Sequence, residues 1–405
     1  MTRETNAGAK TASTGPAGAR RTLAVAGAAH ALHDGYTDLI YVLLPVWQAE
    51  FGLSYGMLAL LRGLYAGVMA MLQVPSGHLA ERWDGRVVLA LGTALAGGGY
   101  ALAGCSGSLA GLCAALALSG AGSSTQHPIA SAAVSRAYGA SARGPLGTYN
   151  FTGDLGKAAI PALTSLLLTV TPWRNALWLL ASLGVVVAIA VLALMPAIAR
   201  RSRPEPRLAR GGQGGGFALL LVIGVLDTGV RMGLLTFLPF LLKAKGASTP
   251  TVGVALALVF LGGAAGKFVC GWLGARFGVL ATVLATEGGT ATCILGALAL
   301  PLAPLLMLLP LLGLMLNGTS SVLYGSVPEL TPPDGAERAF ALFYTGTIGS
   351  GAISPVIYGL LGDAFGVTWA TAATAMVALA IFPLAFALAP RLTERNEEDR
   401  ERRAA

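Results

Sequence analysis

Twelve predominantly apolar runs, at 22–47, 55–79, 87–105, 109–136, 145–170, 174–197, 217–242, 250–273, 279–299, 304–328, 339–361 and 367–389, constrain this chain more than any motif in it. Crossing a bilayer as a helix takes about 20 apolar residues, and each run comes close to or exceeds that length. Lipid supplies no hydrogen bonds, so a spanning segment satisfies its backbone only as a helix or within a closed barrel, and unbroken apolar runs lack the alternation of barrel strands. The expected fold class is an all-α membrane protein with 12 transmembrane helices. Composition agrees, with 55% hydrophobic and 11% charged residues, against roughly 25% charged in soluble domains. The spans take up most of the 405 residues, which leaves no room for a large soluble domain.

The positive charges divide unevenly about these spans. Twenty Lys and Arg lie in the N-terminal segment, the even-numbered loops and the C-terminal segment, three (Arg174, Lys243, Lys245) on the opposite side, and four (Arg62, Lys157, Arg231, Lys267) inside spans. By the positive-inside rule both termini are expected in the cytoplasm of a multi-pass plasma (inner) membrane protein. The net charge of +8 is scattered over short loops rather than gathered on one face, which argues against a nucleic-acid partner. Residues 1–21 are expected to be a disordered cytoplasmic segment, with a first span too long and too polar inside for a cleavable signal. Arg200, Arg201, Arg203, Arg207 and Arg210, set among Pro and Gly, mark 198–216 as a flexible cytoplasmic linker. It divides a bundle of six helices at 22–197 from another at 217–390, and 391–405 forms a charged cytoplasmic tail. Cys105, Cys113, Cys270 and Cys293 have neither paired nor metal-ligand spacing and read as reduced small hydrophobes.

The two halves repeat each other. At an offset of 194, Gly35, Pro45, Gly52, Ser54, Gly77, Leu79 and Arg82 fall on Gly229, Pro239, Gly246, Ser248, Gly271, Leu273 and Arg276. With slips of one or two residues, Arg143, Tyr149 and Gly156 fall on Arg338, Tyr344 and Gly351. A constant offset that pairs Pro, Arg and Tyr as well as Gly points to internal duplication.

These loops carry a family resemblance. Gly77-His78-Leu79-Ala80-Glu81-Arg82-Trp83-Asp84-Gly85-Arg86 resembles the loop after helix two of major facilitator superfamily transporters, with Glu for Asp and Asp84-Gly85 for Gly-Arg. Its echo, Gly271 to Gly278, lacks the acidic residue at Ala275. The resemblance implies the major facilitator fold, two pseudo-symmetric bundles of six helices, and a gating role for Gly77, Glu81, Arg82, Arg86, Gly271 and Arg276; the alternative is an ordinary solvated turn. Helix four keeps Gly120 and Gly122 but has Leu116 where many proton antiporters carry Arg. Helix five has Gly147, Gly156 and Pro161 at the spacing of the family's antiporter motif, with Ile160, Thr164 and Ser165 at its other glycines. A narrower resemblance, to fosmidomycin-resistance-type exporters, rests on His30-Ala31-Leu32-His33-Asp34 and on Gly122-Ser123-Ser124-Thr125-Gln126-His127-Pro128, departing from that subgroup at His33 and Ile129.

Ionisable groups inside a span are costly and mark functional sites. At about 100° per residue, His30, His33, Asp34, Thr37, Asp38 and Tyr41 share an arc of roughly 140° on helix one, a face suited to a wet pathway or to a satisfied polar interface. Asp34 is the first choice for proton carrier, with Asp38, Asp154 and Asp227 as further coupling candidates. Asp38 and Arg62 are expected to pair, in a structural or a gating role. His30, His127 and Asp154 fall at one depth; His127 either joins the site or caps a bend at Pro128. Asn150, Asp154 and Lys157 share a face of helix five and Asp227 and Arg231 one of helix seven, where each charged couple either neutralises itself within its helix or meets substrate. Asp34 and Lys157 are expected together near mid-membrane. Lys157 and Arg231, one from each half, suit an anionic group. Asn317 and Tyr344 supply neutral hydrogen bonds, Lys267 is expected to snorkel to the interface, and Glu287 is expected to be structural.

The expected function is secondary active transport by alternating access: antiport of a small, anionic organic compound or drug against protons, with proton-coupled uptake of an organic anion as the alternative. The expected partners are substrate, protons and the bilayer, the expected cofactor is none beyond a proton gradient, and the expected state is a monomer. An embedded metalloenzyme using His30, His33, His127 and Asp34 is the competing class; with four histidines in all and His78 in a loop, neither an enzyme nor a resident metal is expected. A channel is disfavoured by the duplicated gating loop.

Overall fold

The computed structural model describes residues 15–198, 215–331 and 336–404. Most of the segment 1–21 and of the linker, with its arginine cluster, lies outside the described residues. The described chain is helical, without strands: α1 (Pro16–Phe51), α2 (Tyr55–Arg82), α3 (Gly85–Cys105), α4 (Leu109–Ser123), α5 (Gln126–Tyr138), α6 (Arg143–Leu167), α7 (Trp173–Leu194), α8 (Gly215–Ala244), α9 (Thr249–Ala299), α10 (Leu302–Ser326), α11 (Ala336–Phe365) and α12 (Val367–Ala404).

These helices do not map one to one onto the expected spans. The run 109–136 is broken at Ser124–Thr125 into α4 and α5, while the expected spans 250–273 and 279–299 are two helical segments of α9, separated at Gly278, whose φ of 84° is non-helical and open to glycine. Helix α1 begins at Pro16, so residues 16–21 are helical rather than disordered, and α12 runs on through the stretch expected as a tail. By length and composition, eight helices (α2, α3 and α7 to α12) can cross a membrane. Of the remainder, α1 and α6 are long helices that each carry several intramembrane charges, and lost hydropathy is the cost of a polar face.

The repeat shows in local chemistry. Gly52 and Gly246 both end their helices with positive φ, 63° and 86°, and Ser54 and Ser248 two residues later each accept a hydrogen bond from the backbone N–H three residues on. Pro45 and Pro239 both lie inside their helices.

Helices α1 to α7 form one half and α8 to α12 the other; α2 meets α11 and α6 meets α9 across the boundary. Lipid gives helices no hydrophobic drive to associate, so small residues and close van der Waals packing take that role. A Cβ at Gly156 would overlap the Ala31 carbonyl, one at Gly63 the Ala352 carbonyl, and one at Gly253 the Ser165 side chain. At the face away from the chain termini, hereafter the distal face, a single apolar core runs through both halves, from Leu43 and Trp47 to Phe237 and Leu256. At the terminal face each half has a core of its own, around Ile129 and Tyr149 in one and around Phe217 and Phe343 in the other. Some glycines at that end face open space: a Cβ added to Gly147 on α6 or to Gly271 on α9 would meet no neighbour within 4 Å. The halves are therefore joined distally and diverge toward the termini.

Candidate functional site

Where the halves diverge lies a cavity of about 250 Å³. Helix α1 contributes His33, Asp34, Thr37 and Asp38, the central part of its polar stripe. His30 and Tyr41, at the ends of that stripe, are buried outside the lining. Arg62 enters from α2, His127 from α5, Asp154 and Lys157 from α6, Arg231 from α8, Lys267 from α9 and Asn317 from α10.

An alternating charge ladder crosses the cavity wall. Lys157 Nζ lies 3.3 Å from Asp34 Oδ2 and 3.8 Å from Asp154 Oδ1, and Lys267 Nζ donates to both Asp154 oxygens at 2.7 Å. The ladder runs from α1 through α6 in one half to α9 in the other. Lys267 thus turns inward to a buried carboxylate instead of snorkelling, and Asp154 joins it rather than His30 and His127. Asp154 is buried, and the two ammonium groups together offset the cost of taking its charge out of water.

The two arginines are placed differently. Arg62 lies over the Tyr41 ring, 5.1 Å from its centroid, with Nη2 4.0 Å from the Met232 sulfur. It makes no ion pair with Asp38 within 4.0 Å among the described residues, contrary to the expected pairing, and its Nε and Nη1 have no hydrogen-bond partner. Arg231 reaches Asn317 Oδ1 at 3.5 Å, and its Nε is likewise unpartnered. Of the two readings of Asp227 and Arg231, pairing within the helix is not formed: Asp227 lies outside the cavity lining, accepts from Ser320 at 3.0 Å and faces the Glu287 carboxyl between α8, α9 and α10. Four cations and three carboxylates line the cavity, and two of the cations, Arg62 and Arg231, form no ion pair within 4.0 Å among the described residues. Guanidinium groups with spare donors, Arg62 held over an aromatic ring and Arg231 beside an amide, suit an oxyanion.

Other expected contributors lie elsewhere. Asn150 is exposed and absent from the lining, and Tyr344 is 51% exposed, packed beside Tyr324, whose own ring does line the cavity. His127 does not cap the bend: the helix breaks two residues before it, and its ring stands edge-on to those of His30 and His33, at 5.3 and 4.8 Å between centroids.

In the loop after α2 the acidic anchor is Asp84, not Glu81. Asp84 caps α3 through the Arg86 backbone N–H at 2.9 Å, pairs with the Arg86 guanidinium at 3.3 Å and accepts from the Ile198 N–H at 3.2 Å. Glu81 and Arg82 form no ion pair among the described residues; Glu81 lines a second hollow with Gly77, Pro128 and Arg136. In the echo, Gly271 is open and Arg276 lies over the Trp272 and Phe277 rings at 5.5 and 5.7 Å. At the distal face, Asp363, near the end of α11, accepts from the backbone N–H groups of Tyr55 and Gly56 at 2.6 and 3.0 Å, clasping the first turn of α2 in the other half.

Two bundles joined at one face around a charged central cavity define a class, the multi-pass secondary transporters. The chain belongs to the Major Facilitator Superfamily, whose model matches residues 26–223 and again 219–405, one match for each half. It is 24% identical over 360 residues to the fosmidomycin resistance protein of Escherichia coli (strain K12), a match covering 85% of this chain and 88% of that one. Its fold is similar to that of a bacterial homolog of the human lysosomal transporter Spinster, in an inward-facing, unoccupied conformation, with a TM-score of 0.79 at 15% identity over 94% of this chain and 99% of the other. It is also similar to the nucleoside transporter NupG, with a TM-score of 0.76 at 10% identity over 91% and 99%.

Proposed function

We propose that this transporter exports a small organic anion in exchange for protons, working as a monomer in the plasma (inner) membrane with both termini in the cytoplasm. The single observation that carries the substrate class is the pair Arg62 and Arg231, one from each half, both lining the cavity and neither answered by a carboxylate. An anion between them contacts both halves at once, the requirement for a ligand that alters the balance between two access states. Export is supported by the likeness to a fosmidomycin resistance protein, which is named for resistance to a drug. With the termini cytoplasmic, the diverging face opens inward.

Asp34 and Asp38 are the acids best placed for coupling. Asp34 is held by Lys157, so a substrate anion that draws Lys157 away alters the stability of the Asp34 charge. Asp38 is buried without an ion-pair partner within 4.0 Å among the described residues. A second reading, proton-coupled uptake of an organic anion, is favoured by Leu116, which stands where many proton antiporters carry Arg.

The test uses proteoliposomes with an imposed pH gradient and a panel of organic carboxylates, phosphates and phosphonates. Arg62→Gln and Arg231→Gln are expected to raise KM for an accepted anion by tenfold or more. Asp34→Asn and Asp38→Asn are expected to leave counterflow while abolishing proton-driven accumulation. Saturable transport of cations alone, unaffected by either arginine change, would overturn the anion assignment, and the direction of substrate movement relative to the proton flux separates the two readings.

A further inference from the structure

We infer that His30, Asp34 and His127, with His33 as a fourth donor, form a binding site for a divalent transition-metal ion of the zinc type in the wall of the cavity. Ligand atoms of His30, Asp34 and His127 lie within 4.8 Å of one another. His33 Nε2 is 3.7 Å from Asp34 Oδ1, and its ring stands 4.8 Å from that of His127. Imidazole nitrogen and carboxylate oxygen are the donor set of zinc and its neighbours.

The orientation of His30 is the independent observation. Its Nδ1 is 2.9 Å from the Tyr149 carbonyl oxygen, and its ring stacks on the Tyr149 ring at 4.1 Å between centroids. A carbonyl only accepts, so Nδ1 carries a hydrogen and Nε2 is the nitrogen presented to the site. That nitrogen is buried, has no hydrogen-bond partner, and points at Asp34 Oδ1, 3.4 Å away, which is itself an electron-pair donor. An electron-pair acceptor between them, a metal ion or a proton, satisfies both, and the cluster of further donors around them is what favours the metal. Pinning one imidazole nitrogen on a carbonyl so that the other is presented to the site is also how metal-ligating histidines are held.

Lys157 does not compete for the same atom. It holds Asp34 Oδ2, leaving Oδ1 to the imidazoles, and its own charge is shared with Asp154. Tetrahedral zinc with bonds near 2.0–2.1 Å needs ligand atoms roughly 3.3 Å apart. The His30–Asp34 edge already has this length, and His127 must move inward by an amount on the order of 1 Å. It stands on the first turn of α5, directly after the break at Ser124–Thr125, where the chain is least constrained by helix continuity.

Occupancy would tie α1 to α5 and add a fixed double positive charge to the cavity wall. Metal binding stands on this geometry alone; its consequence, inhibition of transport by micromolar zinc, rests on the proposed function. The test is a titration of the full-length protein, purified in detergent without a polyhistidine tag and stripped with chelator, with Co²⁺ alone. The expected result is one Co²⁺ per chain with the visible absorption of a tetrahedral nitrogen and oxygen site, displaced by Zn²⁺. His30→Ala and His127→Ala are each expected to weaken binding at least tenfold, and His78→Ala to leave it unchanged. As a readout on the unmodified sequence, Zn²⁺ is expected to protect His30, His33 and His127 from diethylpyrocarbonate while His78 still reacts. Absence of saturable binding, which would leave a proton as the only occupant, or protection that includes His78 and spares the other three, would overturn the site. Stoichiometric binding without inhibition of transport would retain it and count against the proposed function's cavity instead.

Discussion

Replacing Asp363 tests whether the distal closure is held by a specific clasp or by general packing. Its carboxylate sits in the last turn of α11, where the helix dipole disfavours negative charge, and is answered by two backbone N–H groups at the start of α2, where the dipole favours it. Hydrogen bonds to a charged group contribute about 1.5–3 kcal/mol each when sheltered. Asp363 is exposed, so the two together are placed at about 1–2 kcal/mol, or a shift of roughly 5- to 30-fold between distal-closed and distal-open forms. Asp363→Ala is expected to give the whole shift and Asp363→Asn, which keeps one acceptor, about half. The assay is the distance distribution between spin labels at Gly107→Cys and Ala303→Cys, one in each half at the distal face, with Cys105 replaced by Ser. Wild type is expected to give a single short distance and Asp363→Ala a second, longer population. Unchanged distributions in both variants would refute the clasp and leave closure to the shared apolar core.

Lys267→Met removes the inner rung of the charge ladder while Lys157 still neutralises Asp154, so the variant is expected to fold, with transport reduced at least tenfold in the proteoliposome assay. Gly156→Val forces a side chain onto the Ala31 carbonyl and is expected to destabilise the first half by about 1–3 kcal/mol, seen as a lower melting temperature by size-exclusion fluorescence. Burial pushes the Glu50 carboxyl up, but hydrogen bonds from Trp173 and Arg174 and the Arg174 charge at 2.5 Å outweigh it and hold the group below its ordinary value. The stability it contributes is present above the ordinary glutamate range and is lost as pH falls through the lowered value; for so exposed a pair it amounts to no more than about 1 kcal/mol. Glu50→Gln is accordingly expected to lower the melting temperature slightly at neutral pH, with the difference from wild type vanishing at acid pH.

The polar stripe of α1 was legible because a helix turns about 100° per residue, so spacing alone places Asp34 and Asp38 on one side. The family was legible in the loop after α2 and in the repeat, whose Gly52 and Gly246 both occupy a left-handed conformation that other residues rarely adopt. The role of Lys267 was not: a mid-span lysine has the same hydropathy whether it reaches the interface or a carboxylate 113 residues earlier in the chain. Nor was the absence of an Asp38–Arg62 bond, since depth along an axis does not specify azimuth. Asn150 and Tyr344 illustrate the same limit, as periodicity names a face without naming what it meets.

What the sequence by itself determined is therefore whatever depends on solvent and on local geometry. Lipid forces every backbone group into a helix, and glycine, proline and serine mark where those helices bend and begin. Only the tertiary structure decided which charges meet, because the ladder from Asp34 to Lys267 and the clasp at Asp363 join residues far apart in the chain. Those contacts depend on how one bundle is rotated and tilted against the other, a property of the packed pair that no single helix carries.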